Sequence, residues 1–122
     1  MTRQPKWVPE ENGALVALYF SMRGRVDDGV DYNKAGMIRA VRGDNPNRLD
    51  NVAETILENR SRGSIEAKLM NVTAVLHDLG REDVSMAEHG YRPLSNYQAD
   101  LKMIVVGLLA VRDEAVAGGF SA

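Results

Sequence analysis

The chain has 122 residues, a formal net charge of −2 and no cysteine, and 44% of its residues are hydrophobic. These values predict a single domain over residues 1–122 with a core of about residues 6–118, and they exclude disulfides, thiolate metal sites and cysteine nucleophiles. The first six residues lead into no apolar run, so no signal peptide is expected, and the longest apolar run is residues 103–111. A membrane span needs roughly 20 apolar residues, so we expect a cytoplasmic protein without membrane contact.

Hydrophobic spacing predicts an all-α protein, a compact bundle of about five helices without strand alternation. The first helix is expected over residues 9–22, because Pro9 suits its first position and Glu10 and Glu11 favour the helix dipole. The second is expected over residues 32–42, between a cap at Asp31 and a stop at Gly43. Their expected inward residues are Leu15, Leu18, Tyr19, Met22, Ala35, Ile38 and Val41.

Three further helices are predicted in the second part of the chain. A third covers about residues 49–58, and a fourth covers residues 62–79 between an N-cap at Ser61 and a C-terminal stop at Gly80. A fifth begins after Ser95, which forms a capping-box pattern with Gln98, and ends near residue 117. The apolar faces of the last two are Ile65, Leu69, Val72, Leu76 and Leu79, then Leu101, Ile104, Val105, Leu108 and Val111.

Common catalytic and metal-binding motifs are absent from the sequence. There is no nucleophile elbow, no phosphate-binding glycine-rich loop and no metal-spaced pair of histidines. Adjacent carboxylates in loops usually point apart, which disfavours a catalytic pair, and His77 is better explained as a partly buried, hydrogen-bonded side chain. We therefore expect a protein that is not an enzyme and that has no cofactor and no metal.

The start of the fourth helix is the first candidate site. Arg60, Ser61, Arg62 and Ser64 surround the point where free backbone N–H groups and the helix dipole favour an anion. Arginine binds phosphate through two parallel hydrogen bonds, and the serines add hydroxyl groups. Taken alone, these residues are explained more simply by a capped helix with solvated arginines.

A second candidate site precedes the fifth helix. Its residues combine two apolar rings and a leucine with one cation, and Asn96 lies near the helix start. Such a set can form a small apolar pocket with a charged rim, whereas the simpler interpretation is a rigid turn that packs on the core. The residues concerned are Tyr91, Arg92, Pro93, Leu94 and Asn96.

Three motifs in this order resemble one known family. The first is an aromatic-led start, Lys6-Trp7-Val8-Pro9-Glu10-Glu11. The second is Arg60-Ser61-Arg62-Gly63-Ser64-Ile65-Glu66-Ala67-Lys68-Leu69-Met70-Asn71. The third is Gly90-Tyr91-Arg92-Pro93-Leu94-Ser95-Asn96. Together they resemble the N-terminal helical domain of HNH-type modification-dependent restriction endonucleases, the sulfur-binding domain family, over roughly residues 6–101.

The resemblance implies a DNA-binding module that recognises a phosphorothioate, in which sulfur replaces a non-bridging phosphate oxygen. It implies that Tyr91 and Pro93 form the walls of a shallow sulfur pocket and that Leu94 is a weaker third wall. It further implies phosphate contacts from Arg60, Arg62, Ser64 and Arg92, with Ser61 and Asn96 at the neighbouring helix ends. The roles of Lys68 and Asn71 stay open between binding and structure.

A second function stays open. The chain could be a protein-interaction or accessory domain that binds a nuclease or another defence-system protein, or one that acts for a phage against such a system. In that case exposed apolar residues around Tyr91 and Leu94 would contact the partner. No nuclease motif follows the helical domain in this sequence, so cleavage of DNA is not expected of the chain itself.

Overall fold

The computed structural model describes residues 6–42 and 56–119, and these residues form α-helices without any β-strand among them. The helices are α1 (Pro9–Asp27), α2 (Lys34–Arg42), α3 (Arg62–Asp78) and α4 (Ala99–Glu114), and a π-helical turn (Ala115–Gly119) extends α4. Two 3₁₀ turns, Glu82–Val84 and Ala87–His89, lie between α3 and α4. The all-α prediction is confirmed. Most of the predicted third helix and Gly43 lie outside the described residues, and residues 56–59 form a turn.

Helix α3 begins and ends close to its prediction. The Ser61 hydroxyl accepts the backbone N–H of Ser64 at 3.1 Å, as expected of an N-cap. At the other end Gly80 has a φ of +72°, the left-handed conformation that glycine adopts most easily. The predicted stripe Ile65, Leu69, Val72 and Leu76 is fully buried, and Leu79 packs against its edge. The four buried residues form one continuous stripe along α3.

Helix α1 is longer than predicted. It ends at Asp27 rather than near residue 22, so Gly24 lies inside the helix and not in a loop. The additional turn is stabilised by an ion pair between Arg23 and Asp27, four residues apart, and by Val26, which packs on the core. A glycine costs about 1 kcal/mol in a helix, which this packing and pairing offset.

Helix α2 begins later than predicted. The cap is Asn33, whose side-chain oxygen accepts the backbone N–H of Gly36 at 3.1 Å, so the prediction of Asp31 as the cap is wrong. Ile38 is fully buried, as expected, whereas Ala35 and Val41 are only partly buried. Both candidate caps are good acceptors, and the local sequence did not distinguish between them.

Helix α4 differs most from its prediction. It begins at Ala99 after its N-cap Gln98, so Ser95 is an exposed residue outside the helix and not its N-cap. Asn96, with a φ of +70°, interrupts any helix at this point. The buried face consists of Leu101, Val105 and Leu109 with Ile104 and Leu108 partly buried, whereas Val111 is 63% exposed instead of buried.

A buried hydrogen-bond network joins α1 to α3 and to the second 3₁₀ turn. The Tyr19 hydroxyl lies 2.8 Å from Thr73 Oγ1 and accepts the Met86 backbone N–H at 2.6 Å. Burial of this hydroxyl raises the pKa of Tyr19.

The starts of α1 and α3 lie together, because Arg60, just before α3, donates hydrogen bonds to Glu11 in the first turn of α1. Helices α1 and α3 therefore run in the same general direction.

Replacing Tyr19 by phenylalanine should lower the free energy of unfolding by about 1.5 kcal/mol, because the Met86 N–H and the Thr73 hydroxyl lose their partner in the core. Urea denaturation followed by circular dichroism measures this loss. The matched control is Tyr97→Phe, which removes an exposed hydroxyl that donates to Asp78. Equal losses of unfolding free energy in Tyr19→Phe and Tyr97→Phe would contradict a stabilising role of the buried hydrogen bonds.

Candidate nucleic-acid interface

The start of α3 presents one of its two arginines to solvent. Arg62 is exposed, and its Nε lies 3.2 Å from Glu66 one turn later. Exposed pairs of this kind contribute little to stability, so the guanidinium can exchange its carboxylate for another anion at small cost. Ser61 is also exposed and Ser64 is half-buried, but the Ser61 hydroxyl already accepts the N–H of Ser64. Arg62 is thus the available charge at this helix start.

Arg60 lies in the interior and not at the surface where we expected it. Its side chain is 3% exposed, and both oxygens of Glu11 accept its N–H groups at 2.7 Å. The guanidinium also donates to the Lys6 carbonyl at 3.0 Å and lies 4.7 Å from the centre of the Trp7 ring. Arg60 lowers the pKa of Glu11, and its own pKa is raised by this hydrogen-bonded pair. The expected exposed phosphate contact at Arg60 is therefore corrected to a buried structural ion pair.

Tyr91 is also buried, at 3% exposure, so the ring does not form an exposed pocket wall. The Lys34 ammonium lies 4.8 Å from the ring centre and bonds the His89 carbonyl. The Tyr91 hydroxyl has no hydrogen-bond partner among the described residues, and burial raises its pKa to about 12. Gly90, with a φ of +97°, allows the close approach of Lys34. The buried Tyr91 ring thus fixes the start of the exposed segment that follows it, residues 92–96.

Residues 92–96 form an exposed segment without regular secondary structure, which we call the binding segment. Its arginine, Arg92, has no hydrogen bond or ion pair within the described parts of the chain. Pro93 and Leu94 are exposed as expected, with Leu94 at 36%. Asn96 is exposed too, and its left-handed backbone is one that asparagine tolerates better than most residues. The segment therefore displays one cation beside two apolar side chains.

The binding segment is attached to α3 by backbone hydrogen bonds. The Leu94 N–H donates to the Met70 carbonyl at 3.1 Å, and Asn71 Nδ2 donates to the Leu94 carbonyl at 2.6 Å. Asn71 also reaches the Ser95 carbonyl at 3.5 Å, and its side chain is only 7% exposed. The second candidate segment is consequently held against α3, the helix whose start carries the first candidate segment. The sequence motif contained Asn71, but no local pattern indicated what it would bond.

A separate polar cavity of about 340 Å³ lies near the 3₁₀ turns. His77 Nε2 is 3.2 Å from Ser85 Oγ at this cavity, which confirms the expectation of a hydrogen-bonded histidine. The other residues around the cavity are Arg23, Glu82, Asp83, Ala87, Glu88 and His89. No group of three or more potential metal ligands occurs among the residues that the structure describes. None of the helices in that part of the chain is long and apolar enough to cross a membrane.

Comparisons with known proteins do not extend the family resemblance. No protein-family model, curated protein or solved structure matches this chain. The resemblance to the sulfur-binding domain family accordingly rests on the three motifs within residues 6–101 alone.

Proposed function

We propose that this chain is a non-enzymatic DNA-binding module that contacts the sugar–phosphate backbone and recognises a phosphorothioate. The observation that carries the proposal is the attachment of the binding segment to α3 through Met70 and Asn71. This attachment brings the exposed Arg92 and the exposed Arg62 to the same helix. Two exposed arginines, one in the first turn of α3 and one in the binding segment, suit two phosphates of a nucleic-acid strand, because arginine binds phosphate through its planar fork of donors.

The preference for sulfur is the finer part of the proposal. Sulfur is larger and less well hydrated than oxygen, so an apolar surface beside a cation favours a phosphorothioate over a phosphate. Pro93 and Leu94 supply that surface in place of the buried Tyr91 ring, and Arg92 supplies the adjacent charge. Tyr91, buried just before the segment, and the hydrogen bond from Asn71 to the Leu94 carbonyl restrain its backbone, and a restrained segment supports selectivity.

A binding titration with two duplexes of identical sequence, one carrying phosphorothioates, tests this function. We expect tighter binding of the sulfur-bearing duplex. Arg92→Gln should weaken the binding of both duplexes, whereas Leu94→Ser should mainly remove the difference between them. For each phosphate contact the logarithm of the binding constant should fall by about 0.9 per tenfold rise in salt. Fluorescence polarisation at several salt concentrations measures all three quantities.

Arg25→Gln is the matched control, because it removes one exposed positive charge near the far end of α1. It should change neither affinity nor sulfur preference. Equal binding of both duplexes by the unmodified protein would reject sulfur recognition, and no binding to either would reject DNA binding. Arg60 and Tyr91 are unsuitable test positions, because changes at buried side chains alter the fold as well as the surface.

A specific observation favours the second candidate, a protein-interaction domain. Helix α4 exposes an apolar face that includes Met103 at 73%, Val106 at 46% and Val111 at 63% exposure. Surfaces of this kind often contact other proteins. This face lies on α4, whereas the binding segment is attached to α3. A protein contact at α4 and a DNA contact at the binding segment are therefore separate proposals. Failure to bind any duplex would make this the preferred function.

A further inference from the structure

Lys68 lies over the ring of Trp7, two residues before the start of α1. Its ammonium lies 5.4 Å from the centre of the Trp7 ring, and the Arg60 guanidinium lies 4.7 Å from the same centre. Trp7 is only 7% exposed, so the ring is a fixed surface against which both cations rest. Two positive charges therefore share one indole.

The two cations differ in their partners. The Arg60 guanidinium donates hydrogen bonds to both carboxylate oxygens of Glu11 and to the Lys6 carbonyl. Lys68 is half-buried, and among the described residues it forms no hydrogen bond and no ion pair. Partial burial and the neighbouring Arg60 both disfavour its charged form, which lowers the pKa of Lys68. An anion at this position would stabilise the lysine charge, because a partly desolvated cation gains more from a counter-charge than a solvated one.

The position of Lys68 on α3 connects it to the binding segment. Ser64, Lys68 and Asn71 follow one another at spacings of four and three residues, so they lie along one side of the helix. Asn71 on that side holds the carbonyls of Leu94 and Ser95. Lys68 is therefore one turn closer to the start of α3 than the point at which the binding segment is attached.

We propose that Lys68, and not Arg60, is the cation that binds a backbone phosphate beside the binding segment. This inference rests on the proposed DNA-binding function and names a further residue of the same site. Trp7 supports the aliphatic stem and the ammonium, and Ser64 lies one turn before Lys68 on the same side. Glu11 neutralises the charge of Arg60, so Arg60 holds the Trp7 ring in place while Lys68 binds the phosphate.

The test compares Lys68→Met with Lys68→Arg, because methionine keeps an apolar stem on Trp7 without the charge and arginine keeps the charge. Lys68→Met should bind an unmodified duplex about tenfold more weakly, and its salt dependence should fall by about 0.9, the value for one phosphate contact. Lys68→Arg should retain most of the affinity. Arg25→Met, which loses a charge near the other end of α1, should behave like the unmodified protein.

Trp7 provides an independent signal, since it is the single tryptophan of the chain. Duplex or pyrophosphate should change its emission in the unmodified protein but not in Lys68→Met. If the unmodified protein binds duplex and Lys68→Met binds with equal affinity and salt dependence, this inference is overturned while the proposed function stands. If the unmodified protein binds no duplex, the proposed function is wrong. If pyrophosphate in addition leaves the Trp7 emission of the unmodified protein unchanged, the proposed role of Lys68 is overturned as well.

Discussion

Arg60→Met should lower the free energy of unfolding by about 3–5 kcal/mol, the usual cost of removing one partner from a buried ion pair. Methionine fills part of the space but leaves the Glu11 carboxylate, which is 12% exposed, without its guanidinium. The variant also loses the hydrogen bond to the Lys6 carbonyl and the contact with Trp7. Urea denaturation followed by circular dichroism measures the loss.

Arg62→Met is the control for this prediction, since it removes the same side chain two residues later. Arg62 pairs with Glu66 on the surface, with 56% and 36% of the two side chains exposed, so the expected change is below about 0.5 kcal/mol. Similar losses in the two variants would show that the buried pair contributes no more than the exposed one. The double variant Glu11→Gln with Arg60→Met should recover part of the loss, because no uncompensated carboxylate remains.

Asn71→Ala should lower the free energy of unfolding by about 2 kcal/mol, because the Leu94 carbonyl loses a buried donor at 2.6 Å. The larger consequence concerns the binding segment. Among the described residues, the hydrogen bond that would still join it to α3 is the one from the Leu94 N–H to the Met70 carbonyl. We expect at least tenfold weaker DNA binding by the folded variant, since an unattached segment must be ordered when it binds. Denaturation and polarisation titrations measure the two effects separately.

Val75→Ala separates this positioning effect from a general loss of stability. Val75 is fully buried on α3 and removing its methyl groups should also cost about 2 kcal/mol. It forms no bond to the binding segment, so the folded variant should bind DNA as tightly as the unmodified protein. Comparable losses of affinity in both variants would mean that Asn71 contributes only stability.

Local signals were sufficient where a residue's partner is close in sequence. Ser61 caps α3 because the N–H that it accepts belongs to Ser64, three residues later. Ile65 and Leu69 are buried because helical spacing alone places them on one side. Gly80 ends the helix through its own backbone conformation. Each of these outcomes depends on a few neighbouring residues, so the pattern predicted it correctly.

The start of α4 shows where such signals fail. Ser95 and Gln98 match a capping box, yet Ser95 lies before the helix, in a segment whose carbonyls accept hydrogen bonds from Asn71, more than twenty residues earlier. A buried hydrogen bond to α3 outweighs a capping preference of about 1 kcal/mol. Likewise Val111 satisfied the apolar spacing of α4 but lies outside its contact with the core, where Leu109 is buried instead.

Sequence patterns were enough to predict the all-α class, the position of α3 and the two segments that carry the candidate site. Which cations of that site face solvent depends on long-range contacts in the fold. Arg60 and Arg62 are chemically identical and two residues apart, but Glu11, 49 residues from Arg60, holds one of them in the interior. Lys68 lies over the Trp7 ring and forms no hydrogen bond or ion pair among the described residues. Helical spacing places apolar residues on one side of a helix, but whether an arginine is buried depends on a partner distant in sequence, which no local spacing encodes.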